Sequence, residues 1–594
     1  MSQSLTIRYE SKDLPWKKIQ VKVFKLQHRI YQASKSGNVK KVHRLQRLLT
    51  KSWGAKCLAV RRVTQENQAK KTAGVDGIKF LTPKQRIEMV NTLEIEASGL
   101  PTRRVWIAKP GKDEKRPLGI PVIRDRATQA LLKLALEPEW EALFEPNSYG
   151  FRPGRSTQDA VEAIHTAFCQ KAKYVLDADI AKCFDKINHQ KLVLKLNTFP
   201  LFERVIRDWL KPGVIDQGNL FPTEEGTPQG GVISPLLANV DLHGLETTIK
   251  NAFPTKVKID GKSHLWKPQI IRYADDFVMV HPDRQAIEKC QEIASKWLAE
   301  LDLELKPSQT RITHTLNKIE GNQEPGFDFV GFNIRSFPVG KNNCGKNNKV
   351  KTGFKTLVRP AAEQVKTHYR HLAKKITQCR SATQDELISQ LIPIITGRCN
   401  YYGSVCSNEA FEELDHKLFW KLFRSWGKFR HPKKPGKWIA RKYWQIQKHK
   451  NWTFGNDKLV WPKHTNTKIT RHIKVKGEAS PYDGNWTYGR QGKGEYPGIS
   501  KKVTTTIKRQ KGKCDRCGLN FHPDDLIEIH HKNGNHRDNR FENLVAVHLH
   551  CHDQIHGDKR NLSTQRSTHD KGQFGEELDL RQTFTSGSEA LHGG

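Results

Sequence analysis

Two adjacent carboxylates, Asp275 and Asp276, lie between the apolar runs Ile271-Arg272-Tyr273-Ala274 and Phe277-Val278-Met279-Val280, the pattern of a β-hairpin with an acidic turn. Carboxylates held this close repel unless a cation sits between them. Taken alone, the pair could equally be an Asp-rich turn without chemistry. A second acidic strand end changes that balance. Tyr174-Val175-Leu176-Asp177-Ala178-Asp179 is an apolar run that ends in Asp179 and leads into a helix. Three carboxylates from two strands can hold two Mg²⁺ ions about 4 Å apart, one lowering the pKa of an attacking hydroxyl and the other neutralising a leaving oxygen. Such a cluster serves phosphoryl transfer of the polymerase type.

A different chemistry is written near the other end. Cys514-x-x-Cys517 and His548-x-x-Cys551 are two knuckles of the kind that close a tetrahedral Zn²⁺ site, although His550 could take the place of His548. A unit of about fifty residues needs such a staple. Between and after the knuckles, Ile529-His530-His531, Asn543-Leu544 and His552-x-x-x-His556 resemble an HNH endonuclease. His552 and His556, four apart, share one face of a helix and with His530 can coordinate one divalent ion. The resemblance makes His531 the general base toward a DNA phosphodiester, its neutral imidazole being available near pH 7, and Asn543 the brace of the loop that carries it. A purely structural zinc knuckle is the alternative.

Several elements must position these residues. The chain has 594 residues and a formal charge of +39, too long for one ordinary core and too basic to be indifferent to polyanions. With 36% hydrophobic residues it has enough apolar material to fold. The charge is uneven: residues 341–513 hold 38 Lys+Arg against 11 Asp+Glu. There the cations alternate with aromatics, as in Phe419-Trp420-Lys421-Leu422-Phe423-Arg424-Ser425-Trp426 and Lys437-Trp438-Ile439-Ala440-Arg441-Lys442-Tyr443-Trp444. Such mixing suits structured RNA or single strands, a solvated surface being the bland reading. Residues 13–62 read as helices, with Asp13 as a cap, Pro15 in the first turn, and Ile19, Val23, Leu26, Ile30, Val42, Leu45 and Leu49 at helical spacing. Residues 103–280 mix short strands and helices, 361–450 return to helix with Leu414, Leu418 and Leu422 four apart, and 451–510 carry few helical signals. Eleven cysteines without a regular framework argue for a reducing compartment. No run approaches the roughly 20 apolar residues that span a bilayer, and Met1-Ser2-Gln3-Ser4-Leu5 is no signal peptide, so a cytoplasmic protein without a membrane partner is expected.

Tyr273-Ala274-Asp275-Asp276 resembles the catalytic motif of reverse transcriptases, specifically those encoded by group II introns. Further motifs fall in that family's order: Trp106-Ile107-Ala108-Lys109-Pro110, Arg116-Pro117-Leu118-Gly119-Ile120-Pro121 with Asp125-Arg126, Ser148-Tyr149-Gly150-Phe151-Arg152-Pro153-Gly154-Arg155-Ser156, and Gly226-Thr227-Pro228-Gln229-Gly230-Gly231 through Asn239. The resemblance runs from about residue 60 to 560. It implies that Asp179, Asp275 and Asp276 bind two Mg²⁺ with help from the Ile180 carbonyl, and that Lys109 and Arg116 neutralise the incoming dNTP triphosphate. It also implies that Phe184 excludes a ribose 2′-OH and that Gln229 lies beneath primer and template. One departure stands out: in Leu305-Lys306-Pro307-Ser308-Gln309-Thr310-Arg311, Gln309 occupies the place of a Lys proposed to protonate departing pyrophosphate, and Lys306 or Arg311 could compensate.

Phe327-Asp328-Phe329-Val330-Gly331-Phe332 closes the palm in this family, and Gly397-Arg398-Cys399-Asn400-Tyr401-Tyr402-Gly403 with Arg430-His431-Pro432 resembles the maturase landmarks, Arg398 standing where Trp is usual. The expected fold is α+β and multidomain: a right-hand polymerase with a helical thumb/maturase domain and a small ββα-metal, zinc-containing HNH domain. The expected order is a basic helical extension (1–85), fingers and palm (86–340), thumb and maturase domain (341–450), DNA-binding region (451–510), HNH unit (511–560) and a disordered polar tail (561–594). The implied activities are RNA-directed DNA polymerisation, assistance to splicing and second-strand DNA cleavage, with group II intron RNA, a DNA target and dNTPs as partners. A splicing-only RNA-binding maturase and a non-mobile defence or diversity-generating reverse transcriptase are the rival readings.

Overall fold

Residues 14–556 are described by a computed structural model, apart from 67–71, 97–98, 109–114, 260, 320–323, 341–343, 348–349, 448–449, 458, 485–500, 520, 522–524, 526, 536–537 and 539. Asp13, Lys109 and the tail 561–594 therefore lie outside the described residues.

The N-terminal arm is three helices, Trp16–Lys35, Val39–Lys51 and Trp53–Arg61. Ile19, Val23 and Ile30 on one helix, and Val42, Leu45 and Leu49 on the next, are buried against the long helix Ile123–Glu141, as the helical spacing requires. Asn38 caps the second helix through its side chain. Pro15 is itself the cap position of the first helix and not part of its first turn.

The acidic hairpin belongs to an antiparallel four-stranded sheet in the order Arg311–His314, Tyr174–Ala178, Asp276–His281, Gln269–Tyr273. Its strands read as nearly continuous apolar runs because both faces are covered. Val175, Ile271, Val278 and Val280 pack against the helix Thr157–Phe168, while Leu176, Ala178, Ile270, Phe277 and Met279 pack against Arg284–Glu300. The period-two alternation of a strand thus feeds two separate cores. A second four-stranded sheet runs Lys115–Ile120, Thr102–Ala108, Val214–Asp216, Asn219–Phe221.

Further along the chain, the sheet Phe327–Phe329, Phe332–Pro338, Phe354–Pro360 leads into the helices Ala362–Gln378, Gln384–Tyr402 and Asn408–Leu422, with Leu414, Leu418 and Leu422 buried. Here the mixed aromatic and basic stretches split. Trp426, Tyr443 and Trp444 are core residues, whereas Trp420 and Phe429 are exposed with Arg424 and Arg380 over their rings. Interior aromatics thus account for part of a pattern that sequence alone assigns to nucleic acid. In the next stretch, the strand Lys450–Phe454 pairs with Trp444–Gln447, and Phe454 and Trp461 are buried in the core that holds Leu414, Leu418 and Trp426. The helix Lys501–Arg509, masked in sequence by the β-branched Val503-Thr504-Thr505-Thr506, leads into the C-terminal unit, where Gln510 bonds both ways with Ala546. Among the described residues, no helix is long and apolar enough to cross a membrane.

Candidate active site and metal centres

The register of the sheet that carries the acidic hairpin brings the acids together. Ala178 pairs with Phe277, so the residues next along the two strands, Asp179 and Asp276, oppose each other at the sheet end, and Tyr273 pairs with Asp276 around the turn Ala274-Asp275. Burial and then the charge of Asp275 push the Asp179 carboxyl above its ordinary range. Asp276 is pushed well above it by burial, then by Asp275 and Asp179. An all-oxygen donor set in which the Asp275 charge raises the pKa of both Asp179 and Asp276 fits hard divalent cations such as Mg²⁺.

The backbone of Ile180 lies in the same place. Lys306 N–H donates to the Asp179 carbonyl at 2.8 Å and Ala181 N–H to the Glu304 carbonyl at 2.9 Å, flanking an Ile180–Leu305 bridge. In that antiparallel arrangement the bridged residue's own N–H and C=O face away from its partner, which turns the Ile180 carbonyl toward the strand that bears Asp276.

Neighbouring segments fix the hairpin. Ala274 takes a left-handed conformation (φ 58°), and a Cβ on Gly150 would come within 2.3 Å of the Ala274 nitrogen, so only glycine admits this approach. Tyr149 N–H donates to the Arg272 carbonyl, and Arg272 N–H to the Asn147 carbonyl, both at 2.9 Å. Arg272 is buried and donates through Nη1 to the Ala274 carbonyl at 3.0 Å and to Asn239 Oδ1 at 3.2 Å; Asn239 in turn donates to the Gly150 carbonyl at 2.8 Å.

Arg116, on the strand Lys115–Ile120, has its guanidinium pKa lowered by burial, against the opposing charges of Asp275, Asp179 and Asp276, so it lies near the cluster. Phe184 is half-buried and meets Phe151 edge-on at 5.9 Å. Gln229 donates to Asp185 Oδ1 at 3.3 Å and accepts at its backbone carbonyl from Gly119 N–H at 2.8 Å, tying the strand Lys115–Ile120 to the segment that follows Asp179. Gly226 (φ +85°) lies so close to Asp185 that a Cβ would come within 2.6 Å of its carbonyl oxygen.

In the C-terminal unit the strands Ile527–His531 and Leu544–His548 pair antiparallel, and a helix covers 549–556. The ligand atoms of Cys514, Cys517, His548 and Cys551 all lie within 4.8 Å of one another, as do those of His530, His552 and His556. Three sulfurs and one imidazole fit Zn²⁺, and three imidazoles fit a borderline divalent ion. Of the two candidates for the fourth zinc ligand, His548 groups with all three sulfurs, while His550 Nε2 lies 2.6 Å from Arg61 Nη2 and 3.1 Å from Cys551 Sγ. His531 is buried at the strand end, and Asn543 accepts from Asn533 N–H at 3.0 Å and donates to the Asp538 carbonyl at 2.8 Å across the loop that follows.

With this geometry in view, three family descriptions match the chain: "Reverse transcriptase (RNA-dependent DNA polymerase)" over residues 107–334, "N-terminal domain of reverse transcriptase" over 12–93, and "Group II intron, maturase-specific domain" over 365–444. Protein YkfC of Escherichia coli (strain K12) is 31% identical over 332 residues, covering 50% of this chain and 83% of that one. The chain belongs to the group II intron reverse transcriptase/maturase family. Group II intron-encoded protein LtrA of Lactococcus lactis subsp. cremoris is 35% identical over 228 residues, 38% of this chain and 32% of LtrA. An uncharacterized 91 kDa protein in the cob intron of Schizosaccharomyces pombe is 40% identical over 154 residues, 25% of this chain and 19% of that one.

Several site residues of this reverse transcriptase/maturase escape a reading of acids alone. Asp177 lies two residues before Asp179, pairs with Arg311 Nε at 3.3 Å, and is pushed up to about 6, chiefly by burial. The alternation Asp177-Ala178-Asp179 was its signal, since strand residues two apart share a face. Arg272 and Asn239 lie in the motifs around Asp275 and Gln229, and nothing in the sequence marks them as bonded to each other.

Proposed function

We propose that the chain is an RNA-directed DNA polymerase that binds and helps to splice a group II intron RNA, and that its C-terminal unit is an HNH endonuclease cutting the second strand of a DNA target. The reading rests first on the meeting of Asp179 with the Asp275-Asp276 turn. Bound there, Mg²⁺ would acidify the primer 3′-OH and neutralise charge on the departing pyrophosphate. Asp179, Asp275, Asp276 and the Ile180 carbonyl would hold it, Arg116 would orient the triphosphate, and Phe184 would select deoxynucleotides. The maturase-domain match and the concentration of cations in residues 341–513 support binding of folded RNA by shape and phosphate contact. Preferential binding to the active RNA fold would assist splicing.

The Cys/His clusters support the nuclease. His531 would take a proton from water, Asn543 would hold its loop, and His530, His552 and His556 would bind one divalent ion beside a Zn²⁺ staple. Joining both activities in one chain suits target-primed reverse transcription, in which the cut strand's 3′-OH primes copying of the inserted intron. Primer extension on an RNA template with dNTPs and Mg²⁺ should be abolished by Asp275→Ala; unchanged synthesis refutes the polymerase. His531→Ala should spare extension and stop second-strand cleavage; loss of both with metal content intact refutes the division into two sites.

A further inference from the structure

Two consecutive arginines of the N-terminal arm reach the Cys/His knuckle some 450 residues further along the chain. Arg61 ends the helix Trp53–Arg61, and Arg62 opens a π-helical turn, Arg62–Glu66, the kind of local widening that recurs at functional positions. Arg61 is only 3% exposed, its guanidinium lying over Trp16 at 4.5 Å. It pairs through Nε with Glu66 Oε1 at 2.7 Å and sets Nη2 2.6 Å from His550 Nε2. The sulfurs of Cys517 and Cys551 are among its electrostatic neighbours. Arg62 pairs through Nη1 with Asp525 Oδ1 at 3.1 Å, and the other oxygen of Asp525 lies 3.3 Å from His548 Nε2. His548 turns its remaining nitrogen, Nδ1, to Cys517 Sγ at 3.4 Å and Cys551 Sγ at 3.9 Å. An unbroken polar path therefore runs from the arm through Asp525 and His548 to the sulfurs.

The charges explain why such a path is needed. A dication held by three thiolates and a neutral imidazole keeps one net negative charge, and in a buried place that charge is costly without a nearby cation. Arg61 and Arg62, which are also paired with Glu66 and Asp525, bring the nearby positive charge. A histidine that binds a metal through one nitrogen is oriented by what its other nitrogen bonds, here Asp525, whose own charge Arg62 balances.

We propose that Arg61 and Arg62 complete the zinc knuckle from outside the C-terminal unit, so that metal retention depends on the polymerase's arm and the arm's last turn depends on the metal. The C-terminal unit is then docked on the arm, and its metal reports on that docking. This rests on the zinc reading above. The dependence must run both ways, because coupling between two sites is reciprocal.

The test uses the full chain loaded with zinc, with transfer of zinc to a colorimetric chelator as the readout. In R61Q/R62Q and, separately, in Asp525→Asn, zinc affinity should fall about ten- to a hundred-fold, the usual effect of removing a residue that orients a ligand. Primer extension by R61Q/R62Q should be retained, which shows that the polymerase is folded. In the wild type, stripping zinc should raise hydrogen exchange at the amides of residues 59–66. That measurement and Asp525→Asn decide the matter even if the double variant folds poorly. Wild-type zinc affinity in Asp525→Asn with unchanged exchange in the arm overturns the proposal while leaving the zinc site standing. A wild-type protein that holds no more zinc than Cys514→Ser overturns the zinc reading together with it.

Discussion

Lys306 places Nζ 3.6 Å from Asp179 Oδ2, and its ammonium also donates to the side-chain carbonyl of Gln309. The cation beside the acid cluster thus comes from Lys306, three residues before the position where the family resemblance leads one to expect a lysine. Arg311, the other candidate, is committed to Asp177. If Lys306 delivers the proton to departing pyrophosphate, Lys306→Ala should lower kcat by on the order of a hundred-fold, within the range for general acids. Lys306→Arg should restore little, because a guanidinium does not give up its proton at neutral pH. The Mg²⁺ requirement should not rise, since removing a cation beside Asp179 favours metal binding. Unchanged single-turnover kcat in Lys306→Ala would place the donor elsewhere.

Without divalent cations the acid cluster should make folding pH-dependent. The folded-state pKa values of Asp179 and Asp276 are raised, and that of Asp177 reaches about 6. A carboxyl with a raised folded pKa favours folding fully below its unfolded pKa, near 4, and loses that contribution as pH rises through the folded value. The melting temperature in EDTA should therefore fall between pH 5 and pH 7.5, and Mg²⁺ should recover it at the upper end. Asp276→Asn should flatten part of the fall, by roughly 2–4 °C for each kcal/mol of repulsion removed. A wild-type profile indifferent to Mg²⁺ would contradict metal binding at these acids.

Phe184 should set sugar selectivity. It is held edge-on to Phe151, and its carbonyl accepts from Thr227 N–H at 2.7 Å, so its backbone is fixed while its ring is only half-buried. Phe184→Val should raise ribonucleotide incorporation relative to deoxynucleotide by at least ten-fold, a change of about 1.4 kcal/mol in relative barrier, with little change in dNTP use. Equal loss of both substrates would assign Phe184 to packing.

How far such sites could be read in advance varied with the kind of order involved. Asp179, Asp275 and Asp276 are legible because apolar strand runs that feed two cores break off into carboxylates at one end of the sheet. The helical arm is legible for the same reason in its own period: Ile19, Val23 and Ile30 mark one face. What could not be read was long-range pairing among polar residues. Nothing in Arg61-Arg62 distinguishes them from other cations of a basic chain, and their partners Asp525 and His550 lie hundreds of residues away. Local composition also misled where basic residues flank aromatics, since Trp426 and Trp444 serve the core while Trp420 faces solvent.

The buried Arg272 should matter to catalysis without touching substrate. Its Nη1 bridges the Ala274 carbonyl and Asn239 Oδ1, tying the strained turn of the acidic hairpin to the helix Ser234–Asp241. Burial lowers its pKa only to about 10, so it stays charged at neutral pH and its bonds are charge-assisted. Arg272→Lys keeps the charge but loses the planar fork that reaches two acceptors at once. One lost bond of this kind costs about 1.5–3 kcal/mol. The turn would then be freer to leave the conformation that puts Asp275 beside Asp179. Arg272→Lys should therefore lower kcat much more than it raises the KM for dNTP, with a higher Mg²⁺ concentration needed for half-maximal rate. Asn239→Ala should reproduce the effect more weakly, and the two changes together should cost less than the sum, because they break one shared link. A double variant whose losses add fully would show that Arg272 and Asn239 act separately on the hairpin.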